Sequence, residues 1–447
     1  MPRRAFEDIP NEILLQIVQD PSVQLPEQRC LSLTSRRLHS IAELCLYRSV
    51  TISDAFGRRH QEFLRTIVSR PELGAITRCL DIRWYFSHSG AGTELHSLDK
   101  KERIIIQQLA HEKGMSSRAV SELEKGLCRP YFSLLMHLLP KLESLKLTEM
   151  RGDMEIDTRW AWGQGEYHGP TPVGLQFLSS LDIFSVWDVE DVVPFMSLPA
   201  LDSFRVFYFK GKGAIRWDEG DANAEEDSGE DVFLSSRYVK RSSKLKELRL
   251  HRAIAKAPLL EDILQIPEAL NTFHYDFDSS DAHHDIDAIR GVVNALRYQA
   301  NSLTTLSLAV FNISSPCPHV GPIASFRDFP LLKGLTVSCM VLLGHTSHYA
   351  PWGCTPFFDL LPSTLTSLTV RVGLRRMDRN GEWSFVRGFL DAIQGGEDCV
   401  SRWRRERVQH VPHLKTFSLW TREDPINSRE ELEALGIIID PRSRRGC

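Results

Sequence analysis

The sequence predicts an α/β chain in which three short helices over residues 1–50 precede a long array of helix–strand units stacked side by side. Three observations predict it. The template L-x-x-L-x-L recurs nine times, starting at residues 142, 178, 201, 245, 270, 303, 332, 365 and 414. Helical periodicity precedes several copies, as with Ile286, Ile289, Val293 and Leu296 before the copy at 303, and Phe385, Phe389, Leu390 and Ile393 before the copy at 414. The chain opens, almost at once, on a short apolar helix started by a proline, FEDIPNEILLQIV.

That first helix is set by its boundaries. Pro10 suits the first turn, where its missing N–H is not needed, and it pushes Ile9 toward an extended backbone. Ile13, Leu14, Ile17 and Val18 then recur on one stripe, and Asp20-Pro21 stops the helix. Pro26 starts a second helix carrying Cys30, Leu31 and Leu33. Ser35 is placed to cap a third, whose apolar residues Leu38, Ile41, Ala42, Cys45 and Leu46 form one face. Three helices of this length have too little surface for an independent core, so the unit must dock on the rest of the chain or on a partner.

These residues resemble the F-box of fungal F-box proteins. The resemblance lies in I9-P10-x-E12-I13-L14-x-x-I17, then L31-x-x-T34-S35-R36-R37-L38-x-x-I41-A42, then L46-Y47. It covers residues 6 to about 50, and Leu38 stands where a tryptophan is frequent. The resemblance implies docking on a Skp-type adaptor and, through it, on a cullin–RING (SCF) ubiquitin ligase. It maps adaptor contact onto Ile9, Pro10, Glu12, Ile13, Leu14, Ile17, Leu31, Leu38 and Ile41. The residues alone leave a second use open, in which the helices merely cap the array behind them. Exposure of the Ile13/Leu14/Ile17 stripe separates the two, because a cap would bury it.

In the array, each copy reads as a loop with one buried residue followed by a short strand whose last two apolar residues share a face. An earlier, weaker copy is T77-R-C-L80-D-I82. A helix–strand unit cannot bury its apolar face alone, whereas stacked units bury it continuously. The pattern resembles an irregular leucine-rich-repeat solenoid over residues 51–430, with 431–447 as a C-terminal tail. Asn or Cys is missing three places after the last leucine, where Met150, Ala253 and Phe311 stand instead, so no regular asparagine ladder is expected. The resemblance implies a concave binding face carrying Lys146, Arg205, Arg249, His274, Thr305 and Ser307 among its residues. As a hypothesis, the arginines suit an acidic or phosphorylated client, which they can grip bidentately.

Charge and cysteine usage narrow the classes. The formal net charge is −4, yet DEGDANAEEDSGED at 218–231 holds eight acidic residues and no basic ones. Such a tract reads as a solvated, disordered insertion. The remaining 54 basic against 50 acidic residues give no nucleic-acid footprint. No apolar run approaches membrane-spanning length, and Glu7, Asp8, Asn11, Glu12 and Gln16 interrupt the only candidate leader, so a cytoplasmic or nuclear, non-secreted protein is expected. Nine scattered cysteines without a C-x-x-C pair fit reduced thiols.

The sequence offers no catalytic constellation, cofactor loop or metal-ligand set. GQGEYHG at 163–169 lacks the context of a nucleotide loop, and GKG at 211–213 lacks the partners of a phosphate loop. His345 and His348, or His283 and His284 with Asp281 and Asp285, read as surface histidines. The expectation is a non-enzyme, a substrate-recognition subunit that holds a client protein near a ligase, with a pure interaction scaffold as the alternative.

Overall fold

Each copy of the template forms one strand, and its two final apolar residues enter a buried column. The structure is a computed structural model and describes residues 9–20, 22–54, 58–84, 100–115, 117–124, 128–149, 173–211, 240–255, 257–277, 286–310, 324–338, 341–342, 357–371, 405, 407–420, 436 and 438–440. The acidic stretch at 218–231, the helical pattern at 385–393, the two glycine loops and the histidine pairs at 283–284 and 345/348 lie outside the described residues or are not covered by them in full. The chain divides into two units, residues 1–185 with 198–201 and residues 186–197 with 202–447.

The first unit begins with helices α1 (Asn11–Gln19), α2 (Leu25–Ser32) and α3 (Arg36–Arg48). Pro10 stands one place outside α1, as its cap: its ψ is 148°, and its carbonyl accepts the N–H groups of Ile13 and Leu14. Ser35 caps α3 as expected, its side chain accepting the N–H of Leu38 at 3.1 Å. Gln28 Nε2 donates to the Val18 carbonyl at 3.0 Å, satisfying one of the orphan groups at the end of α1. Arg37 ties α3 back to the start of α1 through Asn11 Oδ1, at 2.7 Å, and the Ile9 carbonyl.

The unit continues without a break at residue 50. The end of α3 runs directly into β1 (Ser49–Asp54), so Tyr47, Val50 and Ile52 form a further copy of the template that overlaps the helix and escapes a sequence scan. α3 also packs on α5 (Pro71–Ile76), which follows α4 (Arg58–Ser69), and Arg70 Nη2 donates to Glu43 Oε2 at 2.9 Å. Strands β2 (Cys79–Trp84), β3 (Ser144–Glu149) and β4 (Ser180–Asp188) pair in parallel, β1 to β2, β2 to β3 and β3 to β4. Between β2 and β3 lie α6 (Lys100–Glu112), α7 (Ser117–Glu124) and α8 (Cys128–Leu138).

In the second unit α9 (Val189–Met196) precedes eight parallel strands in chain order: β5 (Ser203–Gly211), β6 (Glu247–Ala255), β7 (Thr272–Phe277), β8 (Thr305–Val310), β9 (Gly334–Ser338), β10 (Ser367–Arg371), β11 (Thr416–Trp420) and β12 (Ile438–Asp440). β12 extends the array past residue 430, because Ile438–Asp440 pairs with β11 where a free tail was expected. Helices α10 (Ala257–Gln265) and α11 (Ile286–Leu296) pack against each other beside the strands.

Register explains why the template spacing is so regular. Phe204, Leu248, Phe273, Leu306, Leu335, Leu368 and Phe417 align across the strands as one column, and Val206, Leu250, Tyr275, Leu308, Val337, Val370 and Leu419 as the next. All are buried, as are the leading leucines, and each full burial contributes about 1.5–3 kcal/mol. Ahead of each strand the backbone itself ties neighbouring copies together. The carbonyl of the residue after the leading leucine accepts two N–H groups from the next copy: Asn271 O from Thr304 and Thr305, Thr304 O from Lys333 and Gly334, Lys333 O from Thr366 and Ser367. Thr304 and Thr366 add a hydroxyl bond to the same carbonyls, at 3.1 and 2.9 Å. These turns therefore have their N–H donors satisfied by carbonyls of the neighbouring copy.

Candidate functional site

Two surfaces come forward. The first is the outer side of the N-terminal helices. Of the nine residues mapped to adaptor contact, Leu14, Leu38 and Ile41 are core residues, packed with Val18 and Ala42. Ile9 and Leu31 lean on that core from its edge. Pro10, Glu12, Ile13 and Ile17 face outward. Ile13 is 44% and Ile17 46% exposed, one turn apart on α1, while their neighbours Leu14 and Val18 are sealed. The single stripe read from the sequence is therefore two faces: Leu14 and Val18 hold the module together, and Ile13 and Ile17 are left in water.

The second surface is the strand face opposite the buried columns. Arg205 on β5 pairs in register with Arg249 on β6, Arg249 with His274 on β7, and His274 with Ser307 on β8, so four of the predicted binding residues share one row. Thr305 lies on the adjoining row, paired with Thr272, and is exposed, whereas Ser307 is buried. Lys146 belongs to the first unit, where its ammonium sits 5.0 Å over the Phe184 ring. The arginines do not form a bare anion site. Glu247 stands between them, with Oε1 3.4 Å from Arg205 Nη2 and also in contact with Arg249 Nε.

Next to this row lies a cluster that the sequence reading did not find. Asp276 Oδ2 is 2.7 Å from His251 Nδ1 and 2.9 Å from His274 Nε2. Arg371 Nη1, from β10, is 3.7 Å from the other carboxylate oxygen. The Phe207 ring stacks on His251 at 4.3 Å between centroids, and the two imidazoles are 4.4 Å apart. Burial works to raise the Asp276 carboxyl, but hydrogen bonding and charge from the two histidines outweigh it and hold the group well below the usual carboxylate range. Burial pushes His274 down despite the pull of Asp276, so it favours the neutral ring. The Arg371 guanidinium is likewise lowered by burial, with Asp276 opposing.

The backbone is shaped around this cluster. Tyr208 and Arg252 have φ of 61° and 49°, a left-handed conformation that L-residues avoid. Tyr208 falls in the gap between the β5–β6 pairs Phe207–His251 and Lys210–Ile254, and Arg252 where the register of β6 against β7 shifts between Leu250 and Ala253. The uninterrupted register up to Leu250 and Tyr275 already sets His251 beside Asp276; the irregularity that follows returns Phe209 and Ala253 to the buried side. Arg252 and Tyr208 brace each other, with a 2.6 Å hydrogen bond to the phenol and the guanidinium 5.0 Å over its ring. The sequence signal was present in R249-L-H251 and H274-Y-D276, where the period-two alternation continues one step beyond the template.

No protein-family model and no curated protein matches the chain. Among solved structures it is similar to a Bacteroides fragilis protein, at 13% identity over 90% of this chain and 76% of that one, with a TM-score of 0.34. A likeness of that size carries no argument. Among the described residues no helix is long and apolar enough to cross a membrane.

Proposed function

We propose that this chain is a non-catalytic substrate receptor: its N-terminal helices act as an F-box that docks a Skp-type adaptor of a cullin–RING ubiquitin ligase, and its leucine-rich-repeat-like strands hold a client protein. The observation that carries this reading is the exposure of Ile13 and Ile17. Two large aliphatic side chains one turn apart, left out of a core that their neighbours complete, favour a surface that is covered in a complex. A helical cap would turn them inward. Leu25 and Leu33, at either end of α2, are exposed as well.

On this reading the protein accelerates nothing by its own groups and works by holding a client close to a ligase. The open strand face supports the client-binding half. It offers the half-buried Arg205, Arg249 and His274 in one row, with the exposed Thr305 on the adjoining row, on a register-locked scaffold, the kind of surface repeat proteins use for recognition. The Arg205–Glu247–Arg249 group retains one net positive charge and so still suits an acidic segment, though more weakly than two bare guanidiniums would.

The test is co-purification of the full chain with a Skp-type adaptor, beside Ile13→Asp/Ile17→Asp. Since both side chains are outside the core, the variant should keep its far-UV circular dichroism and lose the adaptor. Failure of the intact chain to retain the adaptor, or retention by the variant, would return the helices to a capping role and leave an interaction scaffold without a ubiquitin connection.

A further inference from the structure

We propose that His251, His274 and Asp276 form a binding site for a divalent transition-metal ion of the zinc class, on the open face of the second unit. Among the described residues this is the one place where three such ligating groups converge, with their donor atoms all within 4.8 Å of one another.

The geometry is close to what an ion requires. Zinc-class ions hold nitrogen and oxygen donors at about 2.0–2.2 Å, which places neighbouring donors roughly 3–3.5 Å apart in tetrahedral geometry. His251 Nδ1 and His274 Nε2 stand 2.7 and 2.9 Å from Asp276 Oδ2, and all three donors lie within 4.8 Å, so side-chain rotations that lengthen the two nitrogen–oxygen edges and even out the triangle admit the ion. Two imidazoles and one carboxylate suit zinc, cobalt, nickel or ferrous iron, and are a poor match for calcium or magnesium, which take oxygen shells.

A second observation points to a ligand. Asp276 is only 7% exposed, yet its Oδ1 accepts no hydrogen bond, and His274 Nε2 is buried without an aligned hydrogen-bond partner despite its closeness to the carboxylate. A self-sufficient His–Asp–His hydrogen-bond network would satisfy these atoms, since buried polar groups are rarely left open. An ion between the imidazoles and the carboxylate would take the His274 nitrogen as a direct ligand.

The surroundings hold the ligands in place. Phe207 fixes the His251 ring by stacking, and the left-handed residues Tyr208 and Arg252 lie immediately after the paired Phe207 and His251. Strain retained beside a cluster of ligating groups is characteristic of functional sites. Arg371 approaches Oδ1 from β10 across a row where Ala309 pairs with Asp276 and Ser338 with Arg371, small side chains that leave it room. It acts as the outer-shell partner of the carboxylate, leaving Oδ2 for the ion, and its positive charge moderates the affinity. Three protein ligands leave at least one coordination position for water or for a donor side chain of a bound partner.

The experiment uses the full chain, stripped with chelator and titrated with cobalt(II), read by visible ligand-field absorption and by calorimetry. The expected result is a single saturable equivalent that zinc displaces. Asp276→Asn and His274→Gln should each weaken binding roughly tenfold or more, while Lys333→Gln, an exposed residue ahead of β9, should leave it unchanged. Circular dichroism melts without metal establish that the variants are folded, and the two ligand substitutions give independent readings should one of them misfold. Absence of saturable binding in the intact chain overturns the proposal. So does unchanged cobalt affinity in a folded Asp276→Asn or His274→Gln variant, which would place the ion elsewhere among the protein's histidines.

Discussion

Gln299 is the side chain whose loss should be felt most sharply. It sits in the 3₁₀ turn Arg297–Gln299 after α11 and is 3% exposed. Its Nε2 donates to the carbonyls of Leu264, at 2.7 Å, and Pro267, at 2.9 Å. Its Oε1 accepts the N–H of Leu270 and the hydroxyl of Ser302, both at 2.9 Å. One amide thus closes the end of α10 and fixes the loop that starts the next copy of the template. Gln299→Leu keeps a similar volume and removes all four bonds. Three backbone groups in buried surroundings lose their partner, at about 1–3 kcal/mol each. The leucine returns roughly 1–2 kcal/mol through its own burial. The net expectation is a loss of about 1–8 kcal/mol, centred near 4, measured as the shift of the urea unfolding midpoint at constant slope. Amide exchange at Leu270 should accelerate in step. A loss below about 1 kcal/mol with Leu270 still protected would mean that water or backbone rearrangement satisfies these groups, and the latch argument would be wrong.

Two further expectations test the packing and the buried charges. A Cβ built on Gly291 of α11 would lie 2.1 Å from the Ala257 Cβ of α10, so Gly291→Ala should cost about 1–3 kcal/mol through overpacking, and adding Ala257→Gly should recover part of it; an unchanged melting temperature in the single variant would refute the close approach. His137 on α8 is pushed below its ordinary value of 6.5, by burial first and by Lys113 second, so the folded chain prefers it neutral. The unfolded state takes up the proton first as pH falls, so this group's stabilisation is complete above 6.5 and is lost toward its lower folded value. His137→Gln should flatten the decline in stability between about pH 7 and 5, and an identical pH profile in the two proteins would contradict the assignment.

The fold was legible because one strand in a stacked array has one job per position. Leu303, Leu306 and Leu308 must be apolar whatever surrounds them, and the same three offsets recur in every copy, so nine independent repetitions reinforce one signal. The N-terminal helices were legible for a similar reason, since Pro10, Ser35 and Pro26 mark boundaries through local backbone chemistry. The copy at Tyr47–Ile52 was hidden because its first residue also ends a helix, and β12 was hidden because three residues are too few to show a period.

Much of the candidate site lay beyond such reasoning. A helical stripe states that Ile13, Leu14, Ile17 and Val18 are on one side, but only packing against α3 decides that Leu14 and Val18 are inside it and Ile13 and Ile17 outside. Arg205 and Arg249 read as a basic pair until Glu247 is found between them. The convergence of His251, His274, Asp276 and Arg371 depends on strand register and on the small residues that let an arginine reach across two strands. Periodicity along the chain determined which residues are buried in the columns. Distances across it, fixed only when the strands stack, decided which polar side chains meet.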